Sequence, residues 1–145
     1  MYAFLSNRKP KSVNARSKQT YKEGVRTDFE SHCAGLPHLP GKLYAIVYYF
    51  HNVKTDLDAD NMSKPIWDAL ESSAYSDDKV IRWRCAGTFD LRADSIEVLD
   101  LSGIPDSLFA GFLRMIDEED HILYVEVGLL NHSLFKFGCE GESEV

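Results

Sequence analysis

Leu43 to Phe50, LYAIVYYF, is an unbroken apolar and aromatic run of strand length, and because neither of its faces is polar it predicts a central strand of a sheet. Polar, aspartate-rich HNVKTDLDADN follows it. In the next stretch, MSKPIWDALESSA, the residues Met62, Ile66, Ala69, Leu70 and Ser73 recur at helical spacing. Pro65 restricts that helix to a start close by, with Pro65 in the first turn and Asp60, Asn61 or Ser63 as the cap. After a turn at Tyr75–Lys79, Ile81, Trp83 and Cys85 alternate with Val80, Arg82 and Arg84, which predicts a half-buried strand. A return strand near Ser95–Leu101 would complete a hairpin through LRAD. Leu108, Phe112, Met115 and Ile116 form one stripe of a helix over DSLFAGFLRMIDEED, and a strand over Ile122–Leu129 precedes a short one at Ser133–Phe137. Upstream, Tyr21 to about Ala34 reads as a short amphipathic helix, broken by Gly35, Pro37, Pro40 and Gly41. Residues 6 to 20, SNRKPKSVNARSKQT, lack periodicity and read as an exposed arm. This order of elements predicts a single α/β or α+β layer fold with strands gathered around the aspartate loop.

Composition narrows the class. At 145 residues and 44% hydrophobic content, folding buries roughly 70% of the extended chain's surface, so no disulfide or structural metal is needed to hold a core. Cys33, Cys85 and Cys139 are odd in number and contain no CxxC, which predicts reduced, mostly buried thiols. The absence of a long apolar run and of a signal-peptide pattern leads to the expectation of a cytoplasmic protein. The net charge of −7 argues against a nucleic-acid partner until its distribution is considered. Met1–Arg26 holds seven basic residues against the single acid Glu23, whereas Asp117–Val145 holds eight acids against Lys136 alone. The chain is electrically bipolar, with a basic arm and an acidic tail.

A third charged feature lies between them. Asp56, Asp58 and Asp60 are spaced by two residues, so in extended backbone their carboxylates share a side, and Asp77 and Asp78 return after one helix. Two carboxylates about 4 Å apart repel by roughly 4 kcal/mol at an effective dielectric near 20, so such a group is either solvated or compensated by a cation. Hard oxygen donors in a compact group suit Mg²⁺ or Mn²⁺. The competing reading is a solvated loop, because aspartate is favoured in turns and at helix starts. Lys64 lies one turn from the aspartates, with Asp68 four residues further on the same helical face to hold its amine.

The string DADN (58–61), Lys64, Asp68-Ala69-Leu70, then Asp77-Asp78 and Val80 resembles the RusA family of Holliday junction resolvases, most strongly from Asp58 to Val80. PKSVNAR (10–16) is a weaker echo, and no match extends beyond Leu101. The resemblance implies a RusA-like single domain over 1–145, a mixed β-sheet with helices packed on it. Its parts would be a basic arm at 1–20, a catalytic core at 43–101, and an unmatched helix, strand and acidic tail at 102–145. It further implies a homodimeric endodeoxyribonuclease, bacterial or phage in origin, that uses Mg²⁺, with Mn²⁺ as a possible substitute, to cut four-way DNA junctions in recombination and repair. By position, Asp58, Asp60 and Asp78 would bind the metal, and Lys64 would be the catalytic lysine. Asp56 and Asp77 are second-tier candidates for a ligand or an outer acceptor, and Asn61 for a cap or an orienting group. Arg16, Lys18, Arg82 and Arg84 are the candidate DNA-backbone contacts.

Other chemistries find little support. An EF-hand reading of Asp56-x-Asp58-x-Asp60 fails at Asn61, where glycine is needed, and at Trp67, where a bidentate glutamate is needed. P-loop, dinucleotide, zinc-protease and serine-hydrolase motifs do not occur. None of the five histidines shows ligand spacing, and only His51 lies next to the aspartates. The reading from a different class is a non-catalytic relative that binds DNA or protein, motivated by the low isoelectric point and the unmatched last third.

Overall fold

The computed structural model describes residues 1–135 and 137. Its sheet is organised around β2 (Leu43–His51), the strand read from LYAIVYYF. β2 pairs parallel with β3 (Ile81–Asp90) on one side and antiparallel with β4 (His121–Leu129) on the other, and β4 pairs antiparallel with β1 (Tyr2–Ser6). The order is β1-β4-β2-β3, a mixed sheet of four strands in a single α+β domain. Three longer helices accompany it among the described residues: α1 (Lys18–Cys33), α2 (Ala59–Leu70) and α3 (Asp106–Glu118).

Each sheet face has its own apolar layer. Leu43, Ala45, Val47 and Tyr49 of β2, with Leu123, Val125 and Val127 of β4, meet α1 and α2. α1 presents Tyr21, Val25, Phe29 and Cys33, spaced four apart on one stripe, and α2 presents Met62, Ile66, Trp67, Ala69 and Leu70. On the second face, Phe50, Ile122, Tyr124 and Leu5 meet Leu108 and Phe112 of α3, while Leu91, Ile96, Leu99, Leu101 and Ile104 pack around them.

The parallel β2/β3 pair requires a crossover, and α2 supplies it. It starts earlier than Pro65 suggested. Asp58 is the N-cap, accepting from the Asn61 amide at 2.8 Å, which places Pro65 inside the helix instead of in its first turn. Pro65 then leaves the Asn61 carbonyl without its usual donor, a cost that the burial of Pro65 between Met62 and Ile66 helps to offset.

Several other sequence expectations are corrected. α1 begins at Lys18, so the arm is shorter than 6–20, and its upstream end is a strand, β1, that the pattern did not indicate. The expected hairpin through LRAD is absent. After β3 the chain turns, forms a short 3-10 helix at Ile96–Val98, and uses its apolar residues as packing on the second face, which leaves the outer edge of β3 without a partner strand among the described residues. A 3-10 turn at His132–Leu134 replaces the described part of the expected strand at 133–137. Cys33 is buried, Cys85 half-buried and both are free thiols, while Cys139 and the tail acids Glu140, Glu142 and Glu144 lie outside the described residues. The last third is integral to the sheet, since β4 separates β1 from β2.

The strict alternation read into β3 is interrupted as well. The register slips between Leu43/Ile81 and Tyr44/Trp83, a bulge that leaves Ile81 on the α2 side yet turns Trp83 and Cys85 to the opposite face. Arg84, opposite Ala45, therefore falls on the α2 side. In an unbulged strand it would point away from that helix.

Two buried tyrosines test the packing. Tyr75 Oη donates to the Trp67 carbonyl at 2.6 Å, whereas Tyr21 Oη is buried and finds no partner among the described residues. Tyr75→Phe is expected to lower unfolding stability by about 1–2 kcal/mol, and Tyr21→Phe to leave it unchanged or raise it by about 1 kcal/mol, as read by urea denaturation. Equal losses from both would show that Tyr21 has a partner.

Candidate active site

The groove between α2 and β3 gathers much of the chemistry read from the sequence. Asp60, Lys64 and Asp68 lie at successive turns of α2, and Arg84 faces them from β3 because of the bulge. Asp60, Ser63, Lys64, Trp67, Arg84, Cys85 and Ala86 line a depression of about 490 Å³. At its edge stands Asp78, first residue of a 3-10 turn that leads into β3.

Charges here are interlocked. Lys64 Nζ donates to Asp68 Oδ1 at 2.8 Å and to Asp78 Oδ2 at 3.1 Å. Arg84 Nη2 donates to the same Asp78 Oδ2 at 3.1 Å and to the Asp78 carbonyl at 2.9 Å. Asp78 thus carries two cations on one carboxylate oxygen. Partial burial of that carboxyl opposes ionisation, but the Lys64 and Arg84 contacts outweigh it and hold its pKa below the ordinary 3.8. The Asp68 hydrogen bond raises the Lys64 pKa above 10.5, with Asp78 adding to it against the opposing effect of desolvation. Lys64 is therefore a permanent positive charge at neutral pH, suited to meeting an anion and unsuited to accepting a proton.

The remaining aspartates are arranged differently. Asp58 takes both the Asn61 amide, at 2.8 Å, and Asn61 Nδ2, at 3.0 Å, so Asn61 orients this carboxylate while Asp58 caps α2. Asp77 caps the turn before β3 by accepting from the Lys79 amide at 2.8 Å. Asp56 is exposed in the loop. Among the described residues, no three His, Cys, Asp or Glu side chains stand close enough together to hold a metal ion. Convergence of Asp58, Asp60 and Asp78 on one point, expected from their positions at the two ends of a helix, is thus not seen. Local partners hold the carboxylates instead: the Asn61 amide groups orient Asp58, and Lys64 with Arg84 compensate Asp78.

The donor chemistry nonetheless fits a hard divalent ion. Both Asp60 carboxylate oxygens and Asp78 Oδ1 accept no hydrogen bond among the described residues. Oxygen-only donors that are partly exposed match the preference of Mg²⁺ or Mn²⁺.

Beyond the groove, the arm and the aspartate loop share one end of the sheet. His51 ends β2 opposite His121, and Tyr49 Oη joins His121 Nδ1 at 2.7 Å. His51 is buried, and its Nδ1 donates to the Val53 carbonyl at 2.8 Å, which fixes the start of the loop. Burial lowers the His121 pKa, and the nearby charge of Lys9 in the arm pushes the same way. Arg8 is anchored to Asp28 at 2.7 Å, across Gly24, where any Cβ would meet the guanidinium at 2.6 Å. Arg16, Lys18 and Arg82 are exposed, and Lys18 Nζ reaches the Val13 carbonyl at 3.1 Å. Sequence reasoning missed the hold of Arg84 on Asp78, because only the bulge brings Arg84 to this face and a bulge has no reliable signature in the pattern.

The groove thus poses a fixed ammonium and a guanidinium beside carboxylate oxygens that accept no hydrogen bond among the described residues. The model of the family Endodeoxyribonuclease RusA matches residues 4–98, and the chain belongs to that family of endodeoxyribonucleases. No curated protein matches the chain. The match runs from β1 past β3 and includes every residue of the groove; α3 and β4 lie outside it. Among the described residues no helix is long and apolar enough to cross a membrane.

The triad of Lys64, Asp78 and Arg84 sets a pH window. Because the Asp78 pKa is depressed on folding, its contribution is present above the unfolded carboxylate range and disappears as pH falls through the folded value, below 3.8. Lys64, with its pKa raised, contributes below 10.5 and loses the contribution as pH climbs through its higher folded value. Asp78→Asn should therefore reduce urea midpoints between these limits and flatten the acid limb of the stability profile. A mutant whose acid limb superimposes on that of the parent would contradict the triad.

Proposed function

We propose that the protein is a divalent-metal-dependent endodeoxyribonuclease that resolves four-way (Holliday) DNA junctions in recombination and repair, acting as a homodimer. The observation that carries this reading is Lys64 held between Asp68 and Asp78 in the groove that Asp60 and Arg84 share. Membership of the RusA endodeoxyribonuclease family supports it. Two strands must be cut to resolve a junction, and a two-fold dimer offers one site to each.

Hydrolysis of a phosphodiester demands an activated water and compensation for charge that builds on the phosphoryl oxygens. Asp58, Asp60 and Asp78 would hold the Mg²⁺ or Mn²⁺, which when bound supplies Lewis acidity and a more acidic water. Lys64 stabilises the developing negative charge, and it does so without searching for its position because Asp68 tethers the amine from the next turn. Arg84 holds Asp78 by side chain and backbone together, so the turn carrying that carboxylate is fixed to β3. With its side chain 37% exposed, Arg84 can also face a phosphate from the groove. Arg16 and Lys18 at the arm and Arg82 on β3 would contact the DNA backbone without reading sequence.

Cleavage of a synthetic four-way junction tests the reading. Paired, metal-dependent nicks are expected, with Lys64→Ala lowering the rate about 10²–10³-fold, the scale of losing one charge-stabilising donor. Asp60→Asn should abolish cutting while sparing junction binding. Binding with no cutting in either Mg²⁺ or Mn²⁺ would leave the non-catalytic DNA-binding alternative.

Metal binding is separable from turnover. Saturating Mg²⁺ should raise the melting temperature, with stabilisation near 2.7 kcal/mol at about one hundred times the dissociation constant. Asp58→Asn combined with Asp60→Asn should shrink that response, with the helix cap retained because asparagine caps a helix as well as aspartate does. An undiminished response in the double variant would remove these two residues from the ligand set.

A further inference from the structure

The second face of the sheet holds a cleft that the proposed phosphodiester chemistry does not use. It encloses about 380 Å³ between a floor that includes Ile46, Tyr48 and Tyr124 and a wall formed by Leu101, Ile104 and Phe112. That size lies within the roughly 300–1,000 Å³ usual for small-molecule sites. Its lining is apolar apart from two acids, Glu126 on the floor and Asp100 on the loop above.

Glu126 is half-buried and oriented by two phenols. Tyr44 Oη donates to Oε1 and Tyr124 Oη to Oε2, each at 2.5 Å. Burial, reinforced by the glutamate charge, raises both phenol pKa values, and the neighbouring Tyr48 is pushed up to about 12, so all three remain neutral donors. Neutral donors fix the direction of a carboxylate without cancelling its charge. Among the described residues no Lys, Arg or His forms an ion pair with Glu126 or Asp100. A carboxylate placed on an aromatic floor has given up part of its hydration and received no cation in return.

Charge and surface together select the occupant. An anion would meet two carboxylates, and a neutral apolar molecule would cover Glu126 and leave it unpaired. A cation satisfies it and gains in addition from the aromatic faces of Tyr48, Tyr124 and Phe89. The apolar wall calls for an apolar body attached to that charge. We propose that this cleft binds a small organic cation, an ammonium or guanidinium on an apolar stem, with Glu126 receiving the charge and Asp100 contributing at the mouth. This goes beyond the nuclease reading and does not rest on it, since the groove of Lys64 lies on the opposite face of the sheet.

Calorimetric titration of the full chain with benzylamine, and with benzyl alcohol as its neutral analogue, tests the proposal. Benzylamine is expected to bind at least tenfold more tightly than benzyl alcohol. Glu126→Gln, which keeps an acceptor for one of the two tyrosines, should weaken benzylamine at least tenfold and leave benzyl alcohol unchanged. Asp100→Asn, on an exposed loop, is the second variant and should cost roughly two- to fivefold, the scale of an exposed charge pair. Lys64→Ala should change neither probe, so a failed nuclease assignment and a failed cleft are distinguishable. Equal affinity for the two probes, no loss in either acid variant, or no binding of benzylamine at millimolar concentration would overturn the proposal.

Discussion

The parallel pairing of β2 with β3 is the constraint from which the site follows. Parallel neighbours cannot be joined by a tight turn, so the chain must return along the sheet before the second strand begins. That return is α2, whose apolar residues lie on the sheet and leave Asp60, Lys64 and Asp68 along its side. β3 then arrives beside it, preceded by Asp78 and carrying Arg84. Residues distant in sequence become ion-pair partners because one connection has to be long.

Within that frame, the charged groups are matched one to another. One oxygen of Asp78 is shared by an ammonium and a guanidinium, and the other remains available. Two mutually repelling cations are held near each other by the acid between them, while Asp60 and Asp68 bring the groove to three negative charges against two positive ones. An anionic substrate, as proposed above, would therefore need those acids to be compensated by a bound cation. What matters is the local field in the groove and along the arm, at the end of the sheet where the aspartate loop also begins.

Much of this was legible in the residues, and the illegible parts have identifiable causes. β2, α2, α3 and β4 were readable because each has an apolar pattern strong enough to fix its period, and the Lys64–Asp68 pair follows from helical spacing alone. β1 was overlooked because five residues make too short a pattern, and its strand character comes from pairing with β4, over a hundred residues later. The supposed return strand at 95–101 had suitable residues, but its apolar side chains pack on the second face instead of pairing with the open edge of β3. Pro65 misled because its propensity cost is real yet smaller than the burial gained by extending α2 back to the Asp58 cap. The bulge in β3 reversed the expected facing of Arg84, and a single inserted residue leaves the composition of a strand unchanged.

The position of β4 carries a consequence for how the molecule assembles. Its nine residues fill the slot between β1 and β2, so the first strand synthesised has no neighbour until nearly the last described strand has been made. During synthesis, the β2–α2–β3 unit can form early, because its contacts are comparatively local, but it does so with one edge of β2 bare. Closure of the sheet waits on a segment beyond residue 98, which joins as a wedge and ties both ends of the chain together in one late, long-range step. Without β4 the outer edge of β2 would present unpaired backbone groups of the kind that template pairing with another chain.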